Sequence, residues 1–89
     1  MEFKSLTEFI QTGIMEQKKE LLMMDEIIGI LIPRNWLKTL REENPDWNLP
    51  DDIKYFELMG VPVKPHDSKQ KNLMWIETML TQHKIFHSM

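Results

Sequence analysis

The sequence predicts an α+β domain: a small two- or three-stranded sheet packed with three helices, in the order α-β-α-β-α. Three observations carry this. Two apolar runs, 27–32 and 55–63, are each punctuated by proline. The segment between them spaces its apolar residues as a helix does, and so do the segments before and after the pair. At 89 residues the chain is one domain, 1–89.

The first helix is expected over residues 5–22. Ser5-Leu6-Thr7-Glu8 matches the capping-box pattern, in which the serine hydroxyl and the glutamate satisfy amides of the first turn. Leu6, Phe9, Ile10, Ile14 and Leu21 then share one face, while Glu16, Lys18, Lys19 and Glu20 form a solvated side. Gly13 inside it costs about 1 kcal/mol relative to alanine. Asp25-Glu26 marks a turn. Ile27-Ile28-Gly29-Ile30-Leu31-Ile32 is β-branched, apolar on both faces and closed by Pro33, which predicts a central strand covered on both sides.

A second helix starts at Pro33 or Arg34. Pro33, Trp36, Leu37 and Leu40 fall at i, i+3, i+4 and i+7, and Asn44-Pro45 ends it. Residues 44–52 carry the composition of a loop. The run through Tyr55 to Val63 reads as one strand, bent at Gly60 and placed at the sheet edge by Pro62. The third helix is expected from Asp67 or Ser68 to about His87. On a helical wheel Leu73, Trp75, Ile76, Met79, Leu80, His83, Phe86 and His87 cover nearly half the circumference.

Composition restricts the function classes. There is no cysteine, hence no disulfide and no thiolate metal site. There is no alanine either, so Leu, Ile, Val and eight methionines must fill the aliphatic core. The net charge is −3, spread over both halves. Proteins that grip nucleic acid through phosphates need a basic face, and only Lys64, Lys69 and Lys71, diluted by Asp67, approach one. A small nucleic-acid-binding regulator is therefore a distant alternative. No apolar stretch reaches the ~18 residues of a membrane span, and no signal peptide is evident. A cytoplasmic location is expected.

No catalytic constellation stands out. His83 and His87 have the i, i+4 spacing at which two imidazoles share a metal on a helix, but a third ligand is missing. His66 next to Asp67 is a solvated turn histidine, since adjacent side chains do not converge. Ser5, Ser68 and Ser88 lie in caps or at the terminus, and the three glycines are too scattered for a phosphate loop. Glu42/Glu43 and Asp51/Asp52 read as solubilising neighbours. No enzyme, metal or cofactor is expected.

Two surfaces suggest protein binding. From Glu42 to Asp52 there are five carboxylates and no basic residue. Trp47 sits among them with Asp46, Leu49, Asp51 and Asp52, as an aromatic anchor for a basic partner would. Its other reading is a plug that folds under the loop to cap the core. The second surface is the face of the third helix with Trp75, Met79 and Phe86, which either exceeds what the core needs, marking a larger partner or a second copy of the chain, or is wholly used by the sheet.

The passage Ile30-Leu31-Ile32-Pro33, a short helix, then Met59-Gly60-Val61-Pro62-Val63 resembles segments of phage capsid-type proteins and of short phage reading frames, over residues 27–63. The resemblance implies a small phage-encoded accessory protein acting in the host cytoplasm. Such proteins bind and block a host protein, defence machinery included. A virion assembly component that self-associates is the alternative. The resemblance carries over no catalytic residue.

Overall fold

The computed structural model describes residues 5–21, 25–67, 73–79 and 84–87, the last of these by strand pairing. Helix α1 (Leu6–Glu20) starts where the capping pattern places it: Ser5 is extended, and its hydroxyl accepts a 3.0 Å hydrogen bond from the Glu8 amide. Leu6, Phe9, Ile10, Gly13, Ile14 and Gln17 form its buried stripe. Strand β1 (Ile27–Pro33) follows, then a turn at Arg34-Asn35 and helix α2 (Trp36–Glu43), which buries Trp36, Leu37 and Leu40.

The remainder is sheet. Strands β2 (Phe56–Leu58), β3 (Val61–His66), β4 (Leu73–Thr78) and β5 (Lys84–His87) join β1 in the order β2-β3-β1-β4-β5. β1 and β3 run parallel; every other pairing is antiparallel. The fold is α+β, but with two helices and a five-stranded mixed sheet among the described residues, not three helices and two or three strands.

The third helix is the main correction. Met74, Ile76 and Thr78 are buried while Leu73, Trp75 and Glu77 alternate with them half-buried, which is the period of a strand. Both alternating sets contain large apolar residues, so no polar face betrays the period. A run that is apolar on both sides fills a wide arc of a helical wheel as readily as it fills two sides of a sheet.

The run 55–63 is also two elements rather than one bent strand. Met59 and Gly60 have φ of 54° and 77°, and Leu58 pairs directly with Val61. Positive φ at both loop residues defines the tight turn whose twist matches a two-residue hairpin. Pro62 consequently does not lie at an edge: β3 sits between β2 and β1. The Leu58–Val61 pair closes the loop through its own hydrogen bonds, so Glu57–Pro62 is the non-bonded pair of the alternation. Toward β1 the ladder opens only at Ile30–Val63. The position of the missing proline N–H therefore falls just before the first β1–β3 pair rather than within that ladder.

One core cluster lies on a single face of the sheet. Ile30 and Ile32 of β1, Val61 and Val63 of β3, and Met74 and Ile76 of β4 meet Leu6, Phe9, Ile10 and Ile14 of α1 and Trp36, Leu37 and Leu40 of α2. Phe9 and Trp36 join the two helices edge to face, with ring centroids 6.0 Å apart. β1 is central, as expected, but the two described helices cover it on one side only. A register shift between Ile27 and Gly29 marks a bulge opposite β4 and leaves Ile28 47 % exposed.

Candidate functional site

Three features of the surface are built by long-range contacts. The first joins the N-terminus of α1 to the C-terminus of α2. The Glu43 carboxylate accepts from the Leu6 amide at 2.9 Å, from the Thr7 amide at 2.8 Å and from the Thr7 hydroxyl at 2.6 Å. Asn44 Nδ2 donates to Thr7 Oγ1 and to the Leu40 carbonyl. Burial pushes the Glu43 carboxyl up, yet the bonds from the Thr7 hydroxyl and from the Thr7 and Leu6 amides outweigh it, and its pKa falls below the ordinary value. The residue that the sequence presents as half of a solubilising acidic pair is a cap for the other helix.

The second feature is the fixing of the long loop after α2. Arg34 Nη1 donates to the carbonyls of Asp51 and Ile53 at 2.8 and 3.1 Å, and Nη2 to the Pro65 carbonyl at 3.3 Å. Arg41 Nη1 donates to the Leu49 carbonyl at 2.9 Å and to the Asp51 carboxylate. Nε of Arg34 reaches Asp67 at 3.0 Å. Asp67 thus pairs with Arg34, while the neighbouring His66 is half-buried and its carbonyl accepts from the Arg34 amide at 2.8 Å. The chain has only two arginines, and both hold this loop. Their isolation in a lysine-rich sequence is the one signal that could have singled them out.

The expected acidic anchor is distributed differently. Trp47 packs against the core cluster, its ring centroid 6.2 Å from that of Phe56, and Leu49 is buried in the core. That arrangement matches the plug reading of Trp47. Asp46, Asp51 and Asp52 are exposed, with Asp51 engaged by Arg41. The loop brings the three carboxylates to the surface without a projecting tryptophan beside them.

The third feature is the sheet face opposite the helices. Register places Lys64, Leu31 and Trp75 in one row across β3, β1 and β4. Alternation puts Pro62 and Glu77 on one side of this row and His66, Pro33 and Leu73 on the other. Gly29 is buried there under the Lys64 chain: a Cβ on it would stand 3.9 Å from Cε and Nζ of that lysine. Leu31, Leu73 and Trp75 are each half-buried. Both described helices belong to the core on the other face, so this one has no second layer among the described residues. Met79 is 53 % exposed just beyond β4, and its amide donates to the Glu26 carbonyl at 2.9 Å, near the bulged Ile28. Trp75 and Met79 thus lie on strand β4 and just past its end, about 13 Å apart at the rise of a strand, rather than one turn apart on a helix. Phe86 belongs to β5, paired with Met74.

The imidazole pair loses its premise. His87 lies in a strand and His83 falls outside the described residues, as do Ser68 and Leu80. No group of three metal-ligating side chains occurs among the described residues, and no described helix is long and apolar enough to cross a membrane. No protein-family model matches the chain, nor does any curated protein or solved structure.

Proposed function

We propose that the chain is a non-enzymatic binding module of the small phage-accessory kind, which docks on a larger host protein through the open sheet face and blocks a contact of that protein. The observation that carries this reading is the row Lys64–Leu31–Trp75, flanked by Leu73 and Pro62, on a sheet whose other face holds both described helices. An array with leucine at its middle, tryptophan beside it and charges at its borders has the composition of a protein interface: apolar centre, aromatic anchor, polar rim. Lys64 and Glu77 supply charges of both signs for registering a partner. The host cytoplasm is where such a module acts, with defence machinery among its targets.

The test compares three variants in quantitative pull-down from host lysate. Leu31→Thr and Trp75→Thr replace apolar area by a smaller β-branched side chain that still favours a strand; Lys18→Ala changes the exposed side of α1. A partner retained by wild type and Lys18→Ala but lost by both face variants, each still folded by circular dichroism, supports the reading. Equal retention by all four proteins overturns it. Light scattering on the same samples distinguishes the competing outcome, in which the face is covered by a second copy and mass doubles with concentration.

A further inference from the structure

The groove beside α2 combines firmly held cations with loosely held counter-ions. Arg34, Lys38 and Arg41 follow one side of α2 and its leading turn, and with Asn35 and Asp51 they line an open groove of about 420 Å³. Both guanidiniums are positioned chiefly by backbone carbonyls, those of Leu49, Asp51, Ile53 and Pro65. A carbonyl orients a guanidinium without cancelling its charge. The groups that do cancel charge are Asp67 on Arg34 and Asp51 on Arg41. Those carboxylate side chains are 82 % and 86 % exposed, against 32 % and 35 % for the arginines they meet. The cations are therefore fixed by the fold, while the anions stand in water, where an ion pair contributes little and exchanges readily. Exposed Lys38 adds a third positive charge between the two arginines in sequence.

Asp51 also shows which chemistry the groove accepts. Its carboxylate sits on Nη1 of Arg41, the nitrogen that also serves the Leu49 carbonyl. A guanidinium presents five donors in a planar fork matched to carboxylates. We infer that this groove binds the carboxylate side chains of a short acidic peptide segment, which takes the place of Asp51 on Arg41 and reaches Lys38. Asp51 is then an internal competitor, occupying the site in the free chain. A short segment is the occupant that fits, because exposed carboxylates, Glu42 and Asp52, directly follow Arg41 and Asp51 in the chain. A long polyphosphate would run past three cations onto those carboxylates, in a chain whose net charge is already −3. This site is separate from the open sheet face, and neither depends on the other.

Amide chemical-shift titration of the full chain with a blocked hexaglutamate peptide tests it. The expected result is a saturable response at Lys38, Arg41 and Asp51. Asp51→Asn preserves the backbone carbonyl that holds Arg34 and removes only the competing charge; it should tighten binding about two- to fivefold, the size of an exposed ion pair. Lys38→Glu should weaken binding by about tenfold or more, since it deletes one attraction and adds a like charge. Lys18→Glu, on the outward side of α1, should leave it unchanged. Both Lys38 and Asp51 are exposed, so neither substitution threatens the fold. The proposal is overturned by a response that never saturates, by unchanged or weaker binding in Asp51→Asn, or by a duplex oligonucleotide that shifts the same amides at lower concentration than the peptide.

Discussion

The two faces of the sheet are built from the same strands and similar residues, yet they have opposite fates. On one, Ile30, Ile32, Met74 and Ile76 vanish under two helices. On the other, Leu31, Leu73 and Trp75 from the same two strands remain half-buried. The difference is not hydrophobicity. It comes from the helices: the stripes of α1 and α2 provide enough apolar surface for one face only. A chain that nevertheless places leucine and tryptophan on the second face carries apolar surface that its described core does not use.

Truncation on the two faces separates them most sharply. Ile30→Ala removes a wholly buried side chain from the centre of the core and should cost about 3 kcal/mol or more, within the range for such cavities. Leu31→Ala, one residue along β1, should cost less, about 1–2 kcal/mol, because its side chain is only partly withdrawn from water. Denaturant unfolding of both variants checks this. Equal losses would mean that the open face is packed as tightly as the closed one.

A smaller effect belongs to the helix pair that covers the closed face. Glu43→Gln weakens the cap on α1 and should cost about 1 kcal/mol at neutral pH. The Glu43 pKa is lower in the folded chain than in the unfolded one. Its contribution is thus fully present above the unfolded value, about 4.3, and is lost as pH falls through the lower folded value. The stability gap between wild type and Glu43→Gln should narrow on acidification through that window, as urea midpoints will show. A gap that stays constant down to the acid limit would mean that the charge of the carboxylate is not what holds the two helix ends.

What was legible in the sequence is what short-range chemistry decides. Ser5 and Glu8 announce α1, the β-branched run before Pro33 announces β1, and Trp36, Leu37 and Leu40 announce α2. The C-terminal part was not legible, because Leu73-Met74-Trp75-Ile76 is apolar in both phases and a strand leaves no polar mark there. Gly60 signalled a turn, but Met59 gives no hint that it too adopts positive φ, so a hairpin read as a bend. The candidate surfaces were least legible of all. Glu43 reaches Leu6 and Thr7 near the start of the chain, and Arg34 reaches Pro65 and Asp67 well beyond its own loop. Only the fold brings such residues together, and Trp47 looked like an anchor because Phe56, which receives it, lies in another element.

Side-chain relaxation in the presence of a neutral, soluble nitroxide tests the asymmetry of the sheet most directly. In the free chain at low concentration, the methyls of Leu31 and the indole of Trp75 should broaden strongly while the methyls of Ile30 and Ile76 stay sharp. Equal protection of all four would contradict the account, since the second face would then be covered by the chain itself and would not be available to a partner.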